Sequence, residues 1–160
     1  LGKVDEIWTY YCCGQHNKDV PNRFFAMPSA RNRILGALLY KYNAVGFLQW
    51  GYNFWYSQFS KHEIDPFTVT DAGKAFPSGD AFVVYPGENG QPLNSLRLKV
   101  FYDGLQDFAA MRLLESLVGR EKALEIIVRD DEFSFLKYPH GSSYLIALRE
   151  RVNQAIKENI

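Results

Sequence analysis

Residues 46–55 read Gly46-Phe47-Leu48-Gln49-Trp50-Gly51-Tyr52-Asn53-Phe54-Trp55, a charge-free run that ends in aromatic rings and one amide. Its first part has the composition of a short buried strand. The rings of Trp50 and Trp55 are suited to lie against the apolar face of a pyranose, while Asn53 hydrogen-bonds its hydroxyl groups. Large aromatic side chains also fill protein cores, so either tryptophan taken alone fits both interpretations.

A second strand of the same kind is predicted at Ile7–Cys13, where β-branched and aromatic residues dominate and Gly14 follows. Both of its alternating faces are mostly apolar, which predicts a strand covered on both sides. Between the two strands we predict a helix that is capped by Ser29 and ends at Asn43. Its apolar stripe comprises Ile34, Leu35, Leu38, Leu39 and Tyr42.

This order of strand, helix and strand predicts a parallel βαβ unit with a right-handed crossover. The C-terminal ends of the two strands, Cys13-Gly14 and Tyr52-Asn53, then meet at one edge of the sheet, which we call the rim. In parallel α/β folds this edge carries the ligand.

Composition excludes several classes of protein. The 160 residues carry 18 basic and 18 acidic side chains, so the chain lacks the basic surface that nucleic-acid binding requires. It has no apolar run long enough to span a membrane and no signal-peptide pattern. The two cysteines, Cys12 and Cys13, are interpreted as small strand residues, since adjacent strand residues point to opposite faces.

The rest of the chain predicts one hairpin and three further helices. After a long irregular stretch, Asn89-Gly90 predicts a tight turn that pairs Phe82–Tyr85 with the segment near Gln91–Leu93. Ser95 opens a long helix to about Val118, capped by Gly119. Shorter helices are expected at about 121–128 and 142–158, so we divide the chain into units 1–118 and 119–160. The apolar side of the long helix is predicted as Leu98, Phe101, Tyr102, Leu105, Phe108, Ala109, Leu113 and Leu117.

Two parallel strands with a hairpin and helices do not make a closed sheet. Both strands would leave an apolar edge unpaired, which soluble proteins avoid. The chain also begins with Leu1 rather than Met. We therefore expect that a missing part of a longer protein, or a second copy of the chain, covers these strands.

Seven motifs in fixed order resemble the C-terminal part of glycoside hydrolase family 123, a region also known as a bacterial domain of unknown function. The resemblance covers about residues 7–117, and the helices beyond it are generic. The motifs are Trp8–Gly14, Pro21–Phe24, Gly46–Trp55, Asp65–Phe67, Gly79–Gly87, Ser95–Arg97 and Asp103–Phe108.

The resemblance implies an α/β fold that is the C-terminal fragment of a (β/α)₈ barrel, its last two strands with their helices. Such a barrel needs about 250 residues, more than the 160 present. It also implies a bacterial parent protein that hydrolyses terminal N-acetyl-β-galactosaminides of glycans or glycolipids. In that substrate-assisted retaining mechanism the 2-acetamido oxygen of the sugar attacks the anomeric carbon, and an adjacent Asp-Glu pair assists. No cofactor or metal is implied, and the compartment is left open.

The catalytic pair of the family belongs to an earlier barrel strand, so we expect no catalytic residue in this chain. Asp5-Glu6 precedes its strand and lies at the wrong end, and the acidic residues 130–132 are interpreted as a solvated loop. Arg97, Asp103 and Asp107 are interpreted as structural. The resemblance implies a set of sugar-binding residues, comprising Tyr11, His16, Trp50, Asn53 and Trp55, with Asp65 and Asp80 as weaker candidates.

Two functions follow from these observations. The first is a fragment of a glycosidase that holds part of the sugar site without the acid. The second is a stand-alone, non-catalytic carbohydrate-binding or interaction module.

Overall fold

The computed structural model describes residues 5–16, 19–129 and 133–160. They form a mixed α/β fold of short strands and longer helices. Two 3₁₀ turns, Gln58–Ser60 and Glu88–Gly90, lie in the connection between residues 49 and 92. The elements in chain order are β1 Trp8–Tyr11, α1 Ser29–Arg33, α2 Leu35–Lys41, β2 Gly46–Gln49, β3 Val84–Pro86, β4 Pro92–Asn94, α3 Leu96–Val118, α4 Arg120–Val128 and α5 Ser142–Glu158.

Strands β1 and β2 pair in parallel, from Trp8 opposite Gly46 to Tyr11 opposite Gln49. The predicted βαβ unit is therefore present, and both strands end at the same edge. One face of the pair packs on the helices through Tyr11 and Phe47. The prediction that both faces are covered is wrong within the described residues, because the opposite face is largely exposed. Its side chains Trp8, Tyr10 and Leu48 are 66%, 52% and 54% exposed.

The predicted crossover helix is split in two at Ile34, which joins α1 to α2. Pro28 occupies the N-cap position, and Ser29 is instead the first helical residue with no capping hydrogen bond from a side chain. Proline suits this entry because its fixed φ and missing N–H cost nothing before the first turn. Four of the five residues in the predicted apolar stripe are buried, namely Ile34, Leu35, Leu38 and Leu39. The fifth, Tyr42, is half-buried and packs against the core.

The predicted hairpin is confirmed, since β3 pairs antiparallel with β4. Its turn contains Asn89 and Gly90 with φ of 54° and 75°. This left-handed conformation is the one that asparagine and glycine tolerate best.

Helix α3 has the predicted bounds, with Gly119 as its C-cap and the Ser95 hydroxyl accepting from the backbone N–H of Leu98. Its buried face was predicted only in part, since Phe101 and Phe108 are half-buried and pack against the core. Tyr102, Leu105, Leu113 and Leu117 are exposed. The buried residues are instead Gly104, Asp107, Ala110, Met111 and Leu114.

Two features explain why the face of α3 with Gly104 and Asp107 packs against the other helices. A Cβ on Gly36 of α2 would overlap the carbonyl of Gly104, so the two helix backbones touch at this glycine pair. Asp107 accepts from Arg33 of α1 and Arg149 of α5 at 2.7 and 2.9 Å. Close backbone contact and a buried ion pair outweigh the larger apolar residues of the other face, which hydrophobicity alone would have selected.

One main core joins all five helices. Its buried residues come from both predicted units, so residues 119–160 pack in the same core as α1, α2 and α3. The unit boundary itself stays a prediction. In the part of the chain that the structure describes, no helix is both long and apolar enough to cross a membrane.

Candidate functional site

The rim is formed where the chain leaves β1 and β2. After β1 the chain turns back on itself, and the backbone N–H of Gln15 donates to the Cys12 carbonyl at 3.2 Å. Asn22 secures this turn, because its side-chain amide donates to the carbonyls of Cys12 and Gln15 at 3.1 and 2.9 Å. His16 is exposed, and its Nδ1 lies 3.2 Å from the Cys13 carbonyl.

Trp50 follows β2 directly and is half-buried. Its ring is supported from behind by Phe76 and Phe54, with ring centroids 5.2 and 5.8 Å away. These rings belong to a small second core around Phe82. The Trp50 ring is therefore packed against two other rings, while the residue as a whole remains partly accessible to solvent.

Asp80 lies between the two strand ends and is only 5% exposed. Burial raises the pKa of this carboxyl group, while the Trp50 indole, the Arg23 guanidinium and the backbone N–H of Cys13 oppose that rise. The carboxylate thus interacts with the chain after β1 and with the chain after β2. A Cβ on Gly51 would overlap the Asp80 carbonyl, so these backbone segments are in direct contact.

Arg23 is a buried cation behind this carboxylate, with 4% of its surface exposed. Its guanidinium carbon lies 4.9 Å from the ring centre of Phe47 and 5.1 Å from that of Phe101. None of its three side-chain nitrogens has a hydrogen-bond partner among the described residues. Burial lowers its pKa to about 10, against the favourable influence of the Tyr11 hydroxyl and Asp80.

Arg97, in the first turn of α3, contacts the same region near Arg23 and Asp80. Its guanidinium donates to the carbonyls of Arg23, Gly79 and Phe82 at 2.9, 2.6 and 2.7 Å. It also lies over the Phe25 ring, 4.7 Å from the centroid. This side chain therefore joins three loop segments to the start of α3, in agreement with the structural role predicted for it.

The structure brings only some of the predicted sugar-binding residues together. Trp50 and Asp80 are neighbours, and Tyr11 is linked to Asp80 through Arg23. Tyr11 is, however, buried on the helix side of β1, since it shares a face with Phe47. Its hydroxyl faces the protein interior and lacks a hydrogen bond, and burial raises its pKa strongly.

The other predicted residues lie along the segment after β2. Asn53 is exposed and its backbone bridges to Phe82. The Trp55 indole donates to the Val84 carbonyl at 3.0 Å, which gives this ring a structural hydrogen bond. Asp65 is exposed and accepts from the backbone N–H of Phe67 at 3.0 Å, as in an Asx turn. No described hydrogen bond or ring contact joins Trp55 or Asp65 to Trp50.

Sequence reasoning missed Arg23 and Phe76 as parts of this region. Arg23 had one usable signal, since a lone arginine between Pro21-Asn22 and Phe24-Phe25 is a cation in an otherwise uncharged run. Phe76 had none, because it reaches Trp50 only through the fold of the long loop.

The described rim residues carry rings, amides, thiols and one imidazole. Residues 12–16 and 50–53 contain no carboxylate, and Asp80 behind them is buried. Asp5 and Glu6 are exposed and precede β1, at the opposite end of the strand pair. The acidic residues 130–132 lie outside the described residues. Among the described residues, no cluster of three or more His, Cys, Asp or Glu side chains is arranged to hold a metal ion.

Comparison with known proteins assigns the chain to a family. The family model described as glycoside hydrolase 123, catalytic domain, matches residues 2–114. The match includes β1 to β4, the whole rim and most of α3. A search of curated proteins returned no match. Since the matched residues make up more than two thirds of the 160-residue sequence, the chain belongs to the glycoside hydrolase 123 catalytic-domain family.

Proposed function

We propose that this chain supplies the sugar-binding rim of a hydrolase that acts on terminal N-acetyl-β-hexosaminides, with N-acetylgalactosamine as the sugar. The parent reaction is retaining and substrate-assisted, so the acetamido group is the nucleophile. The catalytic Asp-Glu pair comes from outside this chain. The observation that carries the proposal is the half-buried Trp50 ring, backed by Phe54 and Phe76, at a rim whose residues include no carboxylate.

The groups next to Trp50 fit a sugar. Tyr52 is 47% exposed, and Asn53 beside it is also exposed. A flat ring with a neighbouring phenol and amide matches the mixed apolar and hydroxyl surface of a pyranose. His16 at the end of β1 adds an exposed hydrogen-bonding group to the same rim.

The exposed sheet face fits a barrel fragment. Trp8, Tyr10 and Leu48 point away from the helices, toward what would be the barrel interior. In a closed (β/α)₈ barrel such residues are covered by side chains of the other strands. We propose that the N-terminal part of the barrel covers this face in the parent protein.

Sugar binding tests the proposal directly. In a calorimetric titration of the chain with N-acetylgalactosamine we expect saturable binding that Trp50→Ala weakens about tenfold or more, the effect of about 1.4 kcal/mol. Phe59→Ala is the matched control, since Phe59 is a highly exposed aromatic residue outside the rim. Galactose, which lacks the acetamido group, should bind less tightly. Absence of binding at millimolar N-acetylgalactosamine would contradict the proposal.

Hydrolysis tests the second half of the proposal. We expect no turnover of an aryl N-acetyl-β-galactosaminide by the purified chain, since no catalytic pair stands at the rim. Turnover that disappears on combined substitution Asp5→Asn and Glu6→Gln would show that the chain carries its own catalytic pair. That result would contradict the placement of those residues at the non-catalytic end.

The alternative is a stand-alone carbohydrate-binding or interaction module. It is favoured by the continuous core of α1 to α5, which gives the chain a folded body without further strands. The reading frame upstream of Leu1 separates the two functions. An Asp-Glu pair at the end of a predicted strand there favours the glycosidase, and a start of translation close to Leu1 favours the module.

A further inference from the structure

The three tryptophan indoles differ in where their N–H groups lie. Trp8 is largely exposed, and Trp55 donates to the Val84 carbonyl. The Nε1 atom of Trp50 is buried and has no hydrogen bond of ordinary length and angle to any described residue. A buried indole N–H without a partner destabilises the fold, so a nearby acceptor is expected.

Asp80 is the acceptor that the structure places there. Its Oδ2 atom is also buried and also lacks a regular hydrogen bond to a described residue. Burial raises the pKa of Asp80, and the Trp50 indole N–H is the first of the groups that counter this rise. Both groups are buried in the same packed region, and each lacks the partner that the other can supply.

The backbone holds the two residues at this separation. Gly51, the neighbour of Trp50, is in direct contact with the backbone of Asp80 and Ala81. The Asp80 carboxylate also interacts with the backbone N–H of Cys13 at the end of β1. The Asp80 carboxylate therefore interacts with the chain after β1 and with the Trp50 ring after β2.

The two cations that face Asp80 favour its ionised form. Arg23 and Arg97 are the cations that face it, and the Cys13 thiol is the remaining titratable neighbour. Tyr11 interacts with Arg23, and Tyr85 interacts with Arg97. Arg23 has no other anionic partner among the groups that influence it, so Asp80 is its counter-charge.

We propose that Asp80 is a positioning residue, whose carboxylate accepts the indole N–H of Trp50 and fixes that ring as the floor of the sugar site. The inference rests on the proposed function, because Trp50 is taken as the ring that the sugar contacts. It assigns Asp80 to the support of the ring rather than to direct contact with the sugar. Loss of the acceptor frees the ring to rotate and weakens sugar binding.

Nuclear magnetic resonance of the three indole N–H groups tests the contact without any ligand. The chain is labelled with ¹⁵N-tryptophan, and the Trp50 signal is assigned with Trp50→Phe. In a titration from about pH 3 to about pH 8 we expect the Trp50 signal to shift with a midpoint above 3.8, the ordinary value for aspartate. The Trp55 signal, whose partner is a backbone carbonyl, should stay nearly constant.

Variants of Asp80 identify the titrating group. Asp80→Asn should abolish the titration yet keep the ring in place, because the amide oxygen still accepts the N–H. Sugar affinity should then stay within about threefold of the wild type, while Asp80→Ala weakens it about tenfold. Asp65→Ala is the matched control, since this exposed carboxylate serves only its own turn. A Trp50 signal that does not titrate, or that still titrates in Asp80→Asn, overturns the inference even if Asp80→Ala fails to fold.

The two proposals fail in different ways. Sugar binding that depends on Trp50 but is unchanged by Asp80→Ala overturns the positioning role and leaves the proposed function standing. An Asp80-dependent indole titration in a chain that binds no sugar supports the contact and overturns the proposed function.

Discussion

At the residue scale, the buried charges at the rim and those between the helices have different partners. Around the rim, Arg23 and Asp80 face each other with few hydrogen bonds. Between the helices, Asp107 is fully engaged, since it accepts two bonds from Arg33 and one from Arg149. Removal of one charged side chain lowers the free energy of unfolding in either place, because the buried charge that remains has lost both its partner and its hydration.

Replacement of Asp107 should destabilise the helical core. In Asp107→Asn the guanidinium groups of Arg33 and Arg149 would remain close to each other without the carboxylate between them. We expect a loss of about 2–4 kcal/mol in the free energy of unfolding, measured by urea denaturation. Glu125→Gln is the control, since its pair with Lys122 is exposed and should change stability by less than about 1 kcal/mol. Equal effects of the two substitutions would contradict this account.

The stability of the chain should depend on the ionisation of Asp80. Burial raises the pKa of this carboxyl group above 3.8 in the folded state, so the folded chain holds the proton more tightly than the unfolded chain. The stabilisation that comes from the more tightly held proton is fully present below about pH 3.8. It is lost as pH rises through the folded-state pKa of Asp80. The wild type should therefore lose stability relative to Asp80→Asn across that window. Denaturant unfolding of both proteins at a series of pH values measures the difference in their free energies of unfolding. A wild type that gains stability relative to Asp80→Asn as pH rises would contradict the prediction.

At the scale of elements, the crossing of α2 and α3 is set by a pair of glycines. Gly36→Ala would normally favour a helix by up to about 1 kcal/mol. Here the added Cβ would overlap the Gly104 carbonyl, which is backbone and cannot move aside easily. We expect a net loss of about 1–3 kcal/mol by thermal or denaturant unfolding. Gly14→Ala is the control, because its Cβ would meet only ordinary contact at 3.8 Å. Increased stability of Gly36→Ala would show that the helices cross elsewhere.

At the scale of the whole molecule, one face of the strand pair is left exposed by the described residues. Trp8, Tyr10 and Leu48 form a neighbouring set on β1 and β2, with Trp8 packed over Gly46. Contiguous exposed apolar side chains favour association, and unpaired strand edges add to this tendency. We accordingly propose that the isolated chain associates with a second copy through this face at high concentration.

Light scattering tests the association. We expect an apparent mass that rises above 18.4 kDa with concentration, and a return to 18.4 kDa when Tyr10→Lys and Leu48→Lys are combined. Ile146→Lys is the control, because it adds the same charge at an exposed apolar residue of α5. A wild-type chain that stays monomeric at high concentration would contradict the proposal. So would a control that dissociates the assembly equally.

Local patterns in the sequence were enough to predict most elements. The Asn89-Gly90 turn, the Ser95 cap, the Gly119 stop and the bounds of α3 and α5 depend on residues within a few positions of each other. The parallel strand pair also follows from local order, because a strand, a helix and a strand of these lengths have one favoured arrangement. The resemblance to the glycoside hydrolase family came from motifs, which are likewise readable in order along the chain.

Tertiary structure alone decided which side of α3 is buried and what surrounds Trp50. The Gly36–Gly104 contact and the Asp107 ion pairs join residues that lie 42 to 74 positions apart, so no local pattern encodes them. The same holds for Asp80, which meets Trp50 and Arg23 only after the long loop folds back over the strand ends. The elements and the family motifs can be read along the chain, because short-range chemistry specifies them. The support of the rim depended on the fold, because burial and charge pairing exist only once distant segments are packed together.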